Sequence, residues 1–295
     1  MKCVDRKGNM IGNDGAQDQL LSFMYKSKFG KILLSQIVKP KYSIFMGYLL
    51  NLRISKVLIT PFIAMNKIDM TQYRKHKFTS YNDFFTRQIK TEKRKIDDNR
   101  KHLISPCDGK LTVYDINDES KFIIKNTSYT MESLLGSKKL ASKYESGVLL
   151  VFRLTVDDYH RYCYIDNGYK TKNYRIKGVF HTVNPVANDS VQIYKENTRE
   201  FTILKSENFG KLLIMEVGAL FVGKIVNYHK EKHVKRGEEK GKFEFGGSTV
   251  IVCAEKGKIK IDKDILKNTR LGIETAVKMG EKIGVAQEYD KQLKS

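Results

Sequence analysis

From about Leu103 onward the apolar residues come in short runs cut by Gly, Asn and Asp, the texture of a β-rich domain rather than a helical bundle. The candidate strands are Lys110–Tyr114, Val148–Leu154, Lys177–Val183, Phe201–Lys205, Lys211–Val226 and Thr249–Ala254. Several are apolar on both faces, as strands buried on both sides are.

The N-terminal part reads differently. Between about Leu20 and Met70 apolar residues recur at spacings of three and four, as at Leu33 and Ile37, then Phe45, Tyr48, Leu49 and Leu52. Lys26, Lys28, Lys31, Lys39, Lys41, Arg53 and Lys56 fall between them. Such basic amphipathic helices either pack on the rest of the protein or lie in a membrane interface. The stretches Tyr42–Leu52 and Val57–Met65 are shorter than the roughly 20 apolar residues of a bilayer span. Residues 1–19 lack the apolar core of a secretory signal. Asp264–Leu293 is expected to be helical again. The predicted class is α+β: an amphipathic helical region over residues 1–70, then a β-rich domain over 71–295.

A formal charge of +21 predicts an anionic partner, whether nucleic acid, a phospholipid surface or a charged substrate. A nucleic-acid reader would alternate aromatic and basic residues on an open sheet face. The strands here are largely apolar, so no nucleic acid is expected. Cys3, Cys107, Cys163 and Cys253 form no CxxC pair and no disulfide framework. His229 and His233 would share a helix face, but the Lys-, Glu- and Gly-rich run Tyr228–Lys242 reads as a solvated loop, so no metal is expected. His76 and His102 read as surface residues.

Three patches carry chemistry. In Ser105-Pro-Cys-Asp-Gly109, Asp108 precedes a strand; Asp-Gly is either a plain turn or a catalytic carboxylate. In Asp157-Asp-Tyr-His-Arg-Tyr-Cys163, His160 follows a strand among polar neighbours, as either an acid–base group or a structural histidine. In Phe243-Glu-Phe-Gly-Gly-Ser-Thr-Val250, two glycines precede a hydroxyl at a strand entrance. That is either a bulge or a strained, unhindered Gly247 carbonyl open to the Ser248 hydroxyl.

Together with Phe84-Phe-Thr-Arg87, His181-Thr-Val-Asn-Pro185, Val217-Gly-Ala-Leu-Phe-Val-Gly223 and Gly237-Glu-Glu-Lys-Gly-Lys-Phe243, these patches make the chain resemble the phosphatidylserine decarboxylase family over about Tyr81 to Gly284. The resemblance implies a proenzyme that cuts itself between Gly247 and Ser248. The Ser248 hydroxyl attacks the Gly247 carbonyl to form an ester. β-Elimination then frees a β chain (1–247) and leaves dehydroalanine at position 248. Hydrolysis releases ammonia and leaves a pyruvoyl group at the head of an α chain (248–295). That covalent cofactor would form a Schiff base with the substrate amine and act as an electron sink for decarboxylation.

By similarity Asp108 is the family's aspartate, and His160 the first histidine of its His-x-x-His pair. Cys163 stands where much of the family has the second histidine. Either His160 serves both cleavage and turnover, or His181 is the cleavage base with His160 kept for decarboxylation, the latter being preferred here. The implied partners are phosphatidylserine in anionic membranes and the chain's own α and β pieces as a heterodimer, with a homo-oligomer open. The implied location is peripheral, on the cytoplasmic face of the cell membrane. The alternatives are a decarboxylase of a related serine phospholipid and an inactive lipid-binding homologue.

Overall fold

The strand Val148–Leu154 divides the molecule into two cores. Leu150, Phe152 and Leu154 enter one core, and Leu149 and Val151 enter the other. This is the two-residue alternation of a sheet covered on both faces. The computed structural model describes residues 2–11, 39–119, 121–124, 127–179, 193–218, 224–244 and 248–287.

The chain opens with β1 (Cys3–Val4) and β2 (Met10–Ile11). Helices α1 (Pro40–Asn51) and α2 (Ile59–Met65) flank a 3-10 segment over Arg53–Leu58, and the short helix α3 (Tyr81–Phe85) follows. Next come β3 (His102–Ile104), β4 (Gly109–Asp115), the hairpin β5 (Lys121–Ile124) and β6 (Thr127–Thr130), α4 (Met131–Leu135), α5 (Lys138–Ala141) and β7 (Val148–Leu154). The middle of the chain holds β8 (Arg161–Cys163), β9 (Gly168–Lys170), β10 (Tyr174–Ile176), α6 (Ile193–Glu196), β11 (Arg199–Ser206) and β12 (Lys211–Val217). The last part holds β13 (Lys224–Asn227), β14 (Lys232–Val234), β15 (Glu239–Glu244), β16 (Ser248–Ala254), β17 (Ile259–Ile261), α7 (Lys263–Arg270), β18 (Glu274–Val277) and β19 (Lys282–Ala286).

The main sheet runs β14-β9-β11-β12-β16-β7-β4-β18-β1-β2, with β10 also on β11. Its pairs are antiparallel except β1 with β18. Two three-stranded sheets, β13-β15-β8 and β17-β19-β3, contribute to the core that holds Leu150 and Phe152. Helices α4 and α5 and the β5–β6 hairpin cover the opposite face through Met131, Leu134, Leu135, Phe122 and Tyr129. The architecture is α+β, as the sequence predicts.

Several expectations change. The helical reading of residues 1–70 holds for 40–51 and 59–65, but Cys3–Val4 joins the main sheet beside Glu274 and Thr275; Leu33 and Ile37 lie outside the described residues. The expected helix over Asp264–Leu293 stops at Arg270. Gly272 and Gly280 take positive φ, +69° and +84°, and break that region into β18 and β19. Of the strand expected at Lys177–Val183, residues 180–183 lie outside the described residues; the described strand here is β10, which ends at Ile176, and Val179 makes an isolated bridge to Asn197. Lys211–Val226 divides into β12 and β13. The supposed loop at Tyr228–Lys242 carries β14 and the start of β15.

The N-terminal helices form a small cluster of their own. Leu50, Ile59, Tyr81, Phe84 and Phe85 are buried together, with Phe62 edge-on to Tyr81 at 5.3 Å. Ser80 caps α3 by accepting from the Asp83 amide. Helix α3 thus links these helices to the rest of the fold.

Candidate active site

Ser248 is the first residue of β16, a strand whose seven residues are all buried and which is paired on one side with β7 and on the other with β12. It lies opposite Leu154. By alternation with Val250, Val252 and Ala254, its side chain turns toward the core shared with Tyr162 and Phe243. The Ser248 hydroxyl is fully buried and has no hydrogen-bond partner. A buried polar atom left unpaired in this way calls for a reason. Gly246 and Gly247 lie outside the described residues.

His160 stands where the chain returns from β7 into β8. Its backbone carbonyl accepts from the Phe243 amide of β15, so it borders the strand that leads into the Gly-Gly-Ser segment. Its Nδ1 lies 2.9 Å from the Asp158 carbonyl oxygen. A carbonyl only accepts, so Nδ1 carries the proton and Nε2 keeps a lone pair. Nε2 is buried and without a partner. The ring rests on Phe85 at 4.2 Å between centroids. Burial, opposed by the Asp158 carboxylate and aided by Arg87, pushes the imidazole down to about 4. At neutral pH His160 is therefore an uncharged base with an open nitrogen.

Asp158 is set by its own pair. Burial opposes its ionisation, but the Lys110 ammonium, 2.7 Å away, outweighs it and holds the carboxyl at about 2. The Thr155 amide and hydroxyl also donate to Asp158. This knot fixes the turn that presents His160.

Asp108 is fully buried before β4, and Gly109 after it crowds β7: an added Cβ would sit 3.1 Å from the Arg153 carbonyl and 3.7 Å from Leu154. Asp108 and Ser248 therefore flank the same end of β7, about two strand spacings, or roughly 10 Å, apart. The Asp108 carboxylate accepts from Arg94 and from the Met279 amide, with the Lys278 ammonium 3.5 Å away. No hydrogen bond joins it to His160, which is oriented by the Asp158 carbonyl instead. So the structure brings Ser248, His160 and Asp108 to one end of the sheet without linking them into a hydrogen-bonded triad. His181 and Gly247 lie outside the described residues.

Cys163 is on β8, fully buried, with its amide donating to Pro106. Burial pushes its thiol up to about 12, so it is protonated and no base at neutral pH. His229 and His233 are not on a helix: His229 lies 3.2 Å from the Tyr164 hydroxyl, and His233 packs edge-on to Tyr169.

Two groups were not singled out in the sequence. Lys240 and Glu216 are both fully buried and 2.8 Å apart. Asn227 joins them, accepting from Lys240 and donating to Glu216 and Glu200. This network ties β15 to β12, and so the sheet beside His160 to the sheet carrying Ser248. The other is Arg94, whose role depends on a partner fourteen residues on.

This end of the sheet thus holds a buried, unpaired serine after two glycines and a neutral histidine with an open nitrogen, the residue types that acyl transfer uses. The phosphatidylserine decarboxylase family profile matches residues 81–285. Phosphatidylserine decarboxylase proenzyme 2 of Clostridium acetobutylicum is 48% identical over 265 residues, 90% of this chain and 91% of the relative. The phosphatidylserine decarboxylase proenzyme of Desulfitobacterium hafniense (strain DSM 10664 / DCB-2) is 44% identical, covering 92% and 93%. That of Fusobacterium nucleatum is 40% identical, covering 95% and 96%. The chain belongs to the phosphatidylserine decarboxylase family.

Proposed function

We propose that this chain is a self-processing phosphatidylserine decarboxylase, cut between Gly247 and Ser248 and active through a pyruvoyl group made from Ser248. The observation that carries the reading is that two buried side-chain atoms, Ser248 Oγ and His160 Nε2, are both left without a hydrogen-bond partner, with His160 bonded through its carbonyl to the strand that leads into the Gly-Gly-Ser segment. His181, preferred from the sequence as the cleavage base, lies outside the described residues, and the base assigned here is His160: its nitrogen takes the hydroxyl proton as Ser248 Oγ bonds to the Gly247 carbonyl carbon, and the peptide C–N bond breaks with that proton delivered to nitrogen. Elimination then moves the Ser248 Cα proton to the base and breaks the Cβ–Oγ bond, so that residues 1–247 leave with a terminal carboxylate; the dehydroalanine left behind tautomerises to an imine, which water hydrolyses to the pyruvoyl ketone and ammonia.

The group fits here: the first residue of a doubly paired strand is held rigidly, and its buried side chain is sheltered from water. It supplies an electron sink for the pair left behind as carbon dioxide departs. To His160, held by the Asp158 carbonyl and Phe85, we assign the transfer of a proton: its open Nε2 takes one from the substrate's ammonium group and returns it to the former α-carbon.

The membrane face belongs to residues 40–65. Ile54 and Met65 are 78% and 79% exposed, and Phe45, Tyr48 and Val57 are exposed beside them, with Lys41, Arg53 and Lys56 interspersed. Among the described residues no single helix is long and apolar enough to cross a membrane; Phe45–Asn51 and Arg53–Met65 pass jointly but are bent by 81°. An apolar surface of this kind flanked by cations suits an anionic lipid interface.

Intact mass under denaturing conditions tests the cut. Two chains matching 1–247 and 248–295, the second lighter by the serine-to-pyruvoyl change, with phosphatidylethanolamine formed from phosphatidylserine, are expected. A single uncut chain without activity refutes the reading.

A further inference from the structure

The structure assigns an anion-binding site to a cavity of about 320 Å³ whose lining includes Arg87 and Arg161, the residue after His160. We propose that it holds the phosphodiester of the phospholipid substrate.

Arg87 is 3% exposed, yet its Nε and Nη1 have no hydrogen-bond partner. Only Nη2 is engaged, at 3.1 Å from the Tyr73 hydroxyl and 3.4 Å from the Asp157 carbonyl. The guanidinium is wedged against the Tyr73 and Phe84 rings, at 4.3 and 4.9 Å from their centroids, so it cannot swing to solvent for relief. A buried cation with idle donors is strongly unfavourable unless an anion completes it.

The cavity that Arg87 lines also carries Arg74, Lys75 and Arg161, against the one carboxylate of Asp83. That carboxylate is already taken by His76, 3.0 Å away, and by Thr79. Arg161 is shared with Glu239, whereas Arg74 and Lys75 stand exposed at the rim. The surplus charge is positive, and guanidinium groups recognise phosphate oxygens well.

Position selects the phosphodiester. Arg87 lies two residues beyond Phe85, whose ring supports His160, and it bonds the carbonyl of Asp157, three residues before His160. The helix α3 that carries Phe84 and Phe85 packs on the exposed apolar helices. A lipid headgroup entering from that face meets these cations before its serine moiety reaches His160. In that moiety three bonds separate the α-carbon from phosphorus.

The inference rests on the decarboxylase reading, and its test separates the two. Arg74→Glu, at the rim, and Arg87→Met are compared with wild type on short-chain phosphatidylserine below its micelle concentration, with inorganic phosphate as competing probe. Phosphate is expected to inhibit wild type competitively. Arg74→Glu should raise KM several-fold, and Arg87→Met roughly 10- to 100-fold, with kcat little changed and phosphate inhibition weakened. If Arg87→Met remains uncut, Arg74→Glu decides alone. An unchanged KM, or a rise seen only on anionic vesicles, overturns the proposal; the latter would mean a surface for neighbouring lipids. Wild type inactive on phosphatidylserine would refute the decarboxylase reading instead. Phosphate binding by calorimetry, present in wild type and lost in Arg74→Glu, would still establish the anion site, and equal binding would overturn it.

Discussion

Arg94 reaches both oxygens of Asp108, Nε to Oδ1 at 2.8 Å and Nη2 to Oδ2 at 2.5 Å, with both side chains out of solvent. The Met279 amide, from the far end of the chain, completes the shell at 2.9 Å. Asp108 therefore ties the segment before β4 both to the segment carrying Arg94 and to the turn between β18 and β19.

Removing the cation strands a buried carboxylate, because Lys278 is more than half exposed. Arg94→Met should lower stability by about 3–5 kcal/mol. Denaturant unfolding of this variant, made in a Ser248→Ala background to keep one chain, checks it. A loss under about 1 kcal/mol would show that the pair is dispensable.

His160 titrates near 4 in the fold against an ordinary 6.5. The unfolded chain thus binds the proton first as pH falls, so stability is full above about 6.5 and declines toward 4. The decline attributable to this residue is roughly 3 kcal/mol, read as the difference in pH dependence between wild type and His160→Gln. The rate of self-cleavage should stay flat from pH 8 to about 5 and fall only below that. A profile bending between pH 6 and 7 would contradict a buried neutral base.

The thiol of Cys163 stays protonated, so Cys163→Ser should be cut at nearly the wild-type rate, and His160→Gln should remain whole. His181→Ala tests the alternative base: normal processing leaves the role to His160, and an uncut protein transfers it to His181. Time-resolved intact mass distinguishes these outcomes.

Much of the central sheet was legible because its strands are apolar on both faces. Val148–Leu154 has the predicted bounds, and Thr249–Ala254 lacks only Ser248. The tail misled because Ile265, Leu266 and Leu271 imitate a continuing helix, while the breaks depend on two glycines with positive φ. Lys240 misled in another way: among so many charges it reads as solvated, and only Glu216, twenty-four residues earlier on another sheet, makes its burial possible. Ser248, His160 and Asp108 stood out because glycines and strand ends mark them. Arg94 had no local signal, and Arg87 had only its place in Phe-Phe-Thr-Arg, since the partners of both are set by the fold.

The order of the main sheet bears on what a broken peptide at Gly247–Ser248 would mean. The last 48 residues do not form a detachable unit: β16 lies between β12 and β7, β18 between β4 and β1, and β19 beside β3. Two strands of the short piece, β16 and β18, are thus laced between strands of the long one, and β19 adds a third seam through β3. Such fragments have no route apart except global unfolding, and no route together except folding as one polypeptide. Maturation would then be a one-time event, with no exchange of pieces between molecules and no rescue of a damaged short piece by a fresh one.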